Sequence, residues 1–214
     1  MDGIDSPQDE AVPGANSLAA VEEERAEVRG AVLAGGRGSR LGGAKATAEL
    51  GGRPLIAYPL AALAAAGLDP FVVAKPGVEL PALKAEVIVE PAEPVHPLVG
   101  IVAGLRHAGR PVVVLGCDFP FVPPALLRAL ADAPEPLVVP APGGDAQPLV
   151  ARWSPRLLPD LEAALAREEP LRRTVAALSP RLLDGAQLAP FGDPARAFFN
   201  VNAPADLRAA ADLL

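Results

Sequence analysis

A single cysteine, Cys117, stands among 214 residues, which excludes an internal disulfide framework and fits a reducing compartment. Aromatic residues are scarce, at 4 % of the chain, so packing must rest on Ala, Leu, Val and Pro. Long apolar runs are missing as well. The longest uncharged segment near a helix, Pro54 to Leu68, is too short to span a bilayer and contains Pro59. No excess of positive charge exists either: residues 1–28 hold eight acids against one base, Arg25, a balance of −7 that equals the formal charge of the whole chain and leaves residues 29–214 neutral. A neutral body argues against a broad nucleic-acid surface. The opening has neither a basic n-region nor an apolar h-region, so no secretory signal is expected. These absences describe a soluble, cytoplasmic protein with neither nucleic acid nor membrane as a partner. Residues 1–28 read as a disordered acidic tail without chemistry, and residues 29–214 as one domain with a sizeable core.

What the chain does have is glycine and cation in one place. An apolar strand, Arg29 to Leu33, runs into Leu33-Ala-Gly-Gly-Arg-Gly-Ser-Arg-Leu-Gly-Gly-Ala-Lys45, with five glycines and three cations. Glycine lets a backbone approach an anion closely, its N–H groups can form a concave nest, and Arg37, Arg40 and Lys45 supply charge for phosphate oxygens. The stretch reads as a phosphate loop, against the plainer alternative of a glycine-rich strand-to-helix turn. It is not a Walker A loop, because Ala44 separates Gly43 from Lys45 and Ala46 follows. It is not a dinucleotide fingerprint begun at Gly36-Arg-Gly38, because Leu41 stands where glycine is needed.

The remaining chain alternates strands and helices. Helices are expected over Pro54–Gly67, Pro97–His107, Val122–Ala131, Pro155–Glu168, Leu171–Leu178 and Pro204–Leu213, with a short one over Leu80–Ala85. Strands are expected at Phe71–Ala74, Glu86–Val89, Pro111–Gly116, Leu137–Val139, Pro148–Arg152 and Ala197–Phe199, with a turn at Pro142–Asp145. This pattern gives an α/β fold: three layers, a mostly parallel sheet with helices on both faces. In such a sheet the ligand sits beyond the carboxyl ends of the strands.

Asp118 follows the most hydrophobic strand and so belongs at that edge, level with the phosphate loop. Mg²⁺ prefers one or two carboxylates plus phosphate oxygens and water, so one placed Asp suffices. The alternative is that Asp118 caps the helix near Pro123. Cys117 has no local partner signature among His96 and His107 and reads as a buried structural thiol.

Several of these segments resemble one family, the molybdenum cofactor guanylyltransferases, within the wider nucleotidyltransferases that join a nucleoside triphosphate to a phosphorylated acceptor. The resemblance is carried by Leu-Ala-Gly-Gly, Ser-Arg-Leu-Gly, Lys45, Leu50-Gly-Gly-Arg-Pro-Leu55, Pro97-Leu-Val-Gly-Ile101, Cys117-Asp-Phe-Pro120, Gln147-Pro-Leu149 and Asn200-Val-Asn202-Ala-Pro-Ala-Asp-Leu207. These cover residues 30–210 in the family's order. The resemblance implies a Rossmann-like nucleotidyltransferase fold for residues 29–214 and transfer of GMP from GTP to molybdopterin-type cofactor. It implies that Leu33, Ala34, Gly35, Gly36, Lys45, Glu90 and Asp118 bind nucleotide, that Arg40, Lys45 and Asp118 carry catalysis, and that Asp118 holds Mg²⁺. Gln147, Asn200 and Asn202 would face the acceptor, with transient contacts to proteins that deliver the cofactor or to molybdoenzymes.

Each of these has a plainer reading: Glu90 as a solvated loop residue, His96 as a surface residue at a helix entry, Asn202 as the cap before Pro204. Asn200 is the better placed of the two asparagines to reach a metal or the acceptor phosphate. The chain departs from the family at Ala44, where aspartate is common, at Lys75, often asparagine, at Glu90, usually aspartate, and at His96, usually glycine. A cytidylyl- or uridylyltransferase with another acceptor, or a non-catalytic cofactor-binding relative, remains open at this point. A chain beginning at Arg29 should keep its melting temperature and turnover. A fall of more than a few degrees in a thermal melt would show that the removed residues pack on the fold.

Overall fold

A computed structural model describes residues 28–35 and 45–214. Expectations that fall on the acidic tail up to residue 27, and on Gly36, Arg37 and Arg40 in the loop, lie outside the described residues. Val28, assigned to the tail from sequence, instead packs half-buried against the core.

Seven strands form one sheet: β1 (Arg29–Leu33), β4 (Pro70–Ala74), β5 (Glu86–Val89), β6 (Val112–Gly116), β7 (Leu137–Pro140), β8 (Val150–Trp153) and β9 (Arg181–Leu183), in the order β5-β4-β1-β6-β8-β7-β9. Neighbours run parallel except at β8, which is antiparallel to both β6 and β7. A separate two-stranded hairpin, β2 (Glu49–Leu50) and β3 (Arg53–Pro54), turns on Gly51 and Gly52, whose φ of 55° and 75° suit glycine.

Alternation along the strands builds two cores. Val32, Val72, Val113 and Leu115 point to one face, under α1 (Ala57–Ala65) and α3 (Pro124–Asp132). Ala31, Phe71, Val73, Val112 and Val114 point to the other, under α2 (Pro97–Ala108), α4 (Leu158–Ala166) and α5 (Leu171–Ala177). Near-continuous apolar strands are what a sheet covered on both faces requires. The short helices α6 (Gly185–Leu188) and α7 (Pro194–Ala197) lead to α8 (Pro204–Ala211). A third, smaller core joins Leu50 and Leu55 of the hairpin region to Val201 and to Ala210 of α8. Among the described residues, no helix is long and apolar enough to cross a membrane.

Two expected elements are absent. Leu80–Ala85 is not helical, because Pro81 pushes Leu80 toward extended backbone and the segment is too short to nucleate a helix. Ala197–Phe199 is not a strand. Asp193 caps Pro194 by accepting from Ala195 N at 2.9 Å, and the helical turn this starts runs through Ala197. The expected helix at 155–168 divides into a 3₁₀ turn, Pro155–Leu157, and α4.

At the amino end of the sheet, far from the loop, Arg29 Nη2 pairs with Asp69 at 2.8 Å and Glu86 at 3.3 Å, over the ring of Phe71. His107 Nε2 donates to Glu86 Oε2 at 3.1 Å. That hydrogen bond, chiefly, and Arg29 beside it hold the Glu86 carboxyl below the ordinary glutamate range. A lowered carboxylate stabilises the fold at pH above its unfolded value, and the contribution disappears as pH falls through the folded value. Glu86→Gln should therefore lower the melting temperature near pH 7, and the difference should shrink as the pH falls below the ordinary glutamate range, a convergence that paired thermal melts would reveal.

Candidate active site

β1 and β6 end side by side, with Leu33 in register with Gly116 and Cys117 N donating to Leu33 O at 3.1 Å. β8 starts where β6 ends because it runs the other way, and Gly116 N donates to Leu149 O at 2.8 Å. Five chain segments thus meet at one edge: the start of the glycine loop at Leu33–Gly35, Lys75 after β4, Glu90 after β5, Asp118 after β6, and Gln147–Leu149 before β8. A cleft of about 200 Å³ opens among them, with Gly35, Lys45, Lys75, Glu90, His96 and Asp118 in its wall.

Asp118 does not cap α3, whose start at Pro123 has no side-chain cap. Its Oδ2 accepts instead from Lys45 Nζ at 2.9 Å, with only 12 % of the lysine and 14 % of the aspartate side chain exposed. Lys45 also donates to Asn202 Oδ1 at 2.7 Å, and Asn202 Nδ2 donates to Asn200 Oδ1 at 2.6 Å. Asn202 is therefore not the cap of α8. Asp206 does that work from inside the helix, its carboxylate accepting from Asn202 N at 2.8 Å and Ala203 N at 2.9 Å. Backbone fixes both ends of the arrangement. Val201 N donates to Asp118 O at 2.9 Å, while Ala46, next to Lys45, is buried and its carbonyl accepts from Ile56 N. Asn200, expected to be the better placed asparagine, is joined to Asn202 by that hydrogen bond.

Glu90 is not a solvated loop residue: it is 4 % exposed. Its Oε1 lies 3.0 Å from Lys75 Nζ. Burial raises the Glu90 carboxyl above the ordinary range, and Lys75 opposes that rise. Space for this carboxylate comes from two glycines. A Cβ on Gly35 would collide with Oε1, and one on Gly100 would lie 2.6 Å from Oε2. Gly116 does the same for Asp118, since a Cβ there would strike Oδ1. Lys75 was read from sequence only as a departure from the family. The signal that locates it is its place directly after the carboxyl end of a central parallel strand.

The other candidates fall at the same edge with smaller roles. Leu33, Ala34 and Gly35 line the turn out of β1, where Ala34 N is taken by Val73 O at 2.8 Å. Gln147 sits two residues before Leu149, its Nε2 3.5 Å from Asp145 O. His96 caps α2, its Nδ1 accepting from Leu98 N at 3.2 Å, which holds the imidazole at the cleft rim.

Cys117 is buried, and burial, with Asp118 adding to it, pushes its thiol up to about 12. A thiol so raised stays protonated and inert at neutral pH. Native protein should resist a thiol-specific chromogenic reagent near pH 8, whereas denatured protein should release one equivalent. Rapid reaction of the native chain would show an exposed thiolate.

Comparison with known proteins accords with this layout. The family model described as the MobA-like NTP transferase domain matches residues 30–182. A molybdenum cofactor guanylyltransferase of Cereibacter sphaeroides is 38 % identical over 199 residues, covering 86 % of this chain and 96 % of that protein. Its counterpart in Rhodobacter capsulatus is 36 % identical over 200 residues, covering 87 % and 96 %. Among solved structures, molybdopterin-guanine dinucleotide biosynthesis protein A from Archaeoglobus fulgidus superposes with a TM-score of 0.74 at 26 % identity, over 87 % of this chain and 98 % of that one. With matches of this extent, and a cleft where that fold places its ligand, the chain belongs to the MobA-like NTP transferase family of nucleotidyltransferases.

Proposed function

We propose that this nucleotidyltransferase moves GMP from GTP to the phosphate of a molybdopterin-type cofactor. The single observation that carries the reading is the Lys45–Asp118 pair in a carboxylate-bearing cleft at the β1/β6 edge, in a chain over a third identical to named guanylyltransferases. An acceptor phosphate oxygen attacks the α-phosphorus, the bond from that phosphorus to the bridging oxygen breaks, and pyrophosphate leaves. Nothing covalent forms on the protein. Its residues position groups and offset charge.

Lys45 and the backbone of Leu33, Ala34 and Gly35 face the triphosphate in this reading, and the family resemblance adds Gly36 and Arg40, which lie outside the described residues. The Glu90 carboxylate accepts from guanine N1–H and the exocyclic amine. Adenine offers neither donor there, and Glu90 thereby favours GTP. Gln147, at the open side of the edge, faces the acceptor. Asp118 and Asn202 suit Mg²⁺, because their oxygens already hold one cation, the Lys45 ammonium. The described residues contain no group of three His, Cys, Asp or Glu side chains that would hold a metal without phosphate. Asp118 and Asn202 would hold such a hard cation, which would supply charge neutralisation for the phosphates. Contacts with proteins that bring or take the cofactor are transient in this reading.

Incubation with each of four nucleoside triphosphates and molybdopterin cofactor, with pyrophosphate release and product mass as readouts, should single out GTP. A dominant cytidylyl product would redirect the base assignment, and binding without pyrophosphate would overturn catalysis. Asp118→Asn should reduce turnover by about 100-fold or more at saturating GTP, with the melting temperature nearly kept. Near-normal turnover would remove Asp118 from the reaction.

A further inference from the structure

Two oxygens from distant parts of the chain converge on one ammonium. Lys45 Nζ lies 2.9 Å from Asp118 Oδ2 and 2.7 Å from Asn202 Oδ1. A lysine ammonium only donates, so the amide atom turned toward it must be the oxygen. Asn200 enforces that orientation by accepting from Asn202 Nδ2 at 2.6 Å. Asp206 then fixes the backbone at Asn202 and Ala203, and Val201 N is tied to Asp118 O, so the two oxygens are held at a set separation.

We infer that Asp118 and Asn202 form a single cation cradle that Lys45 fills in the nucleotide-free chain and gives up to the divalent metal when a triphosphate draws its ammonium away. This makes Asn202 a metal-side residue and Asn200 its positioning residue, rather than acceptor contacts. The inference rests on the proposed nucleotide reading of the cleft and adds an order to it. An ammonium and a divalent ion repel at such distances, strongly where water is partly excluded, so the same two oxygens hold one or the other. Lys45 is nearly covered, and its ammonium rests on the two cradle oxygens, Asp118 Oδ2 and Asn202 Oδ1. A triphosphate offers the ammonium several such oxygens and offers the metal the rest of its shell. Nucleotide and metal affinities are then linked, each raising the other by the same factor.

Manganese binding to the full-length chain, followed by electron paramagnetic resonance of the free ion, tests this without turnover. Wild-type protein without nucleotide should bind Mn²⁺ weakly. Lys45→Met should bind it about tenfold or more tighter under the same conditions, because the competing charge is gone. Asn202→Ala placed in that background should return the affinity toward the wild-type value. Lys45→Gln serves equally if the Met variant melts early. Lys45→Met binding Mn²⁺ no better than wild type would overturn the cradle, as would indifference of that variant to Asn202→Ala. Calorimetry with GTP and Mg²⁺ is read separately. Absence of GTP binding by wild type would sink the nucleotide reading, while the nucleotide-free arms still decide whether Lys45 and the metal compete.

Discussion

The parallel pairing of β1 with β6 is the constraint from which the cleft follows. Both strands are apolar on both faces and end level, at Leu33 and Gly116, where the ladder closes with Cys117 N on Leu33 O. Past that point each chain must leave the sheet. One departs at Ala34 and Gly35 and the other at Asp118, so the start of the glycine-rich segment and a carboxylate are placed together by strand register alone. β8, running in the opposite sense, adds its first residues to the same edge.

The charged groups at the rim are accommodated by leaving atoms out. Gly35, Gly100 and Gly116 have no unusual backbone need at these positions. They are small because the carboxylates of Glu90 and Asp118 occupy the volume that a methyl group would take. A carboxylate shielded from water costs free energy unless a cation stands beside it, and both here have one, Lys75 and Lys45. The cleft is thus a pair of neutralised ion pairs, with the glycine loop beside them.

Much of this was legible in the residues. Fully apolar strands such as Val112–Leu115 announce a sheet covered on both faces, and Asp118 is readable because it is the first polar side chain after one of them. The hairpin at Glu49–Pro54 was passed over although Gly51-Gly52 marks its turn, since two-residue strands carry no periodicity. β9 was missed for a similar reason, being three residues after Pro180. The late strand at Ala197–Phe199 failed because local capping by Asp193 outweighed aromatic β-propensity. Asn202 illustrates a harder limit. Asn-Ala-Pro-Ala-Asp offers two side chains able to serve the same helix start, and only three-dimensional placement shows that Asp206 takes the task and frees the amide. Lys75 was legible in position, directly after a parallel strand, but not in role, because the sequence does not show the buried Glu90 opposite it.

The third core has a consequence for how the protein loses activity. Leu50, Leu55, Val201 and Ala210 form a patch apart from the two cores that sandwich the sheet, and the segment bearing Asn200 and Asn202 is anchored through it. Small packed units open at a lower free energy than the global fold. Half of the cation-holding oxygens therefore ride on a foldon that can detach while the seven strands stay paired. Mild heat or denaturant would then extinguish chemistry ahead of structure, leaving a chain whose far-ultraviolet dichroism is intact and whose Lys45 has lost its Asn202 oxygen.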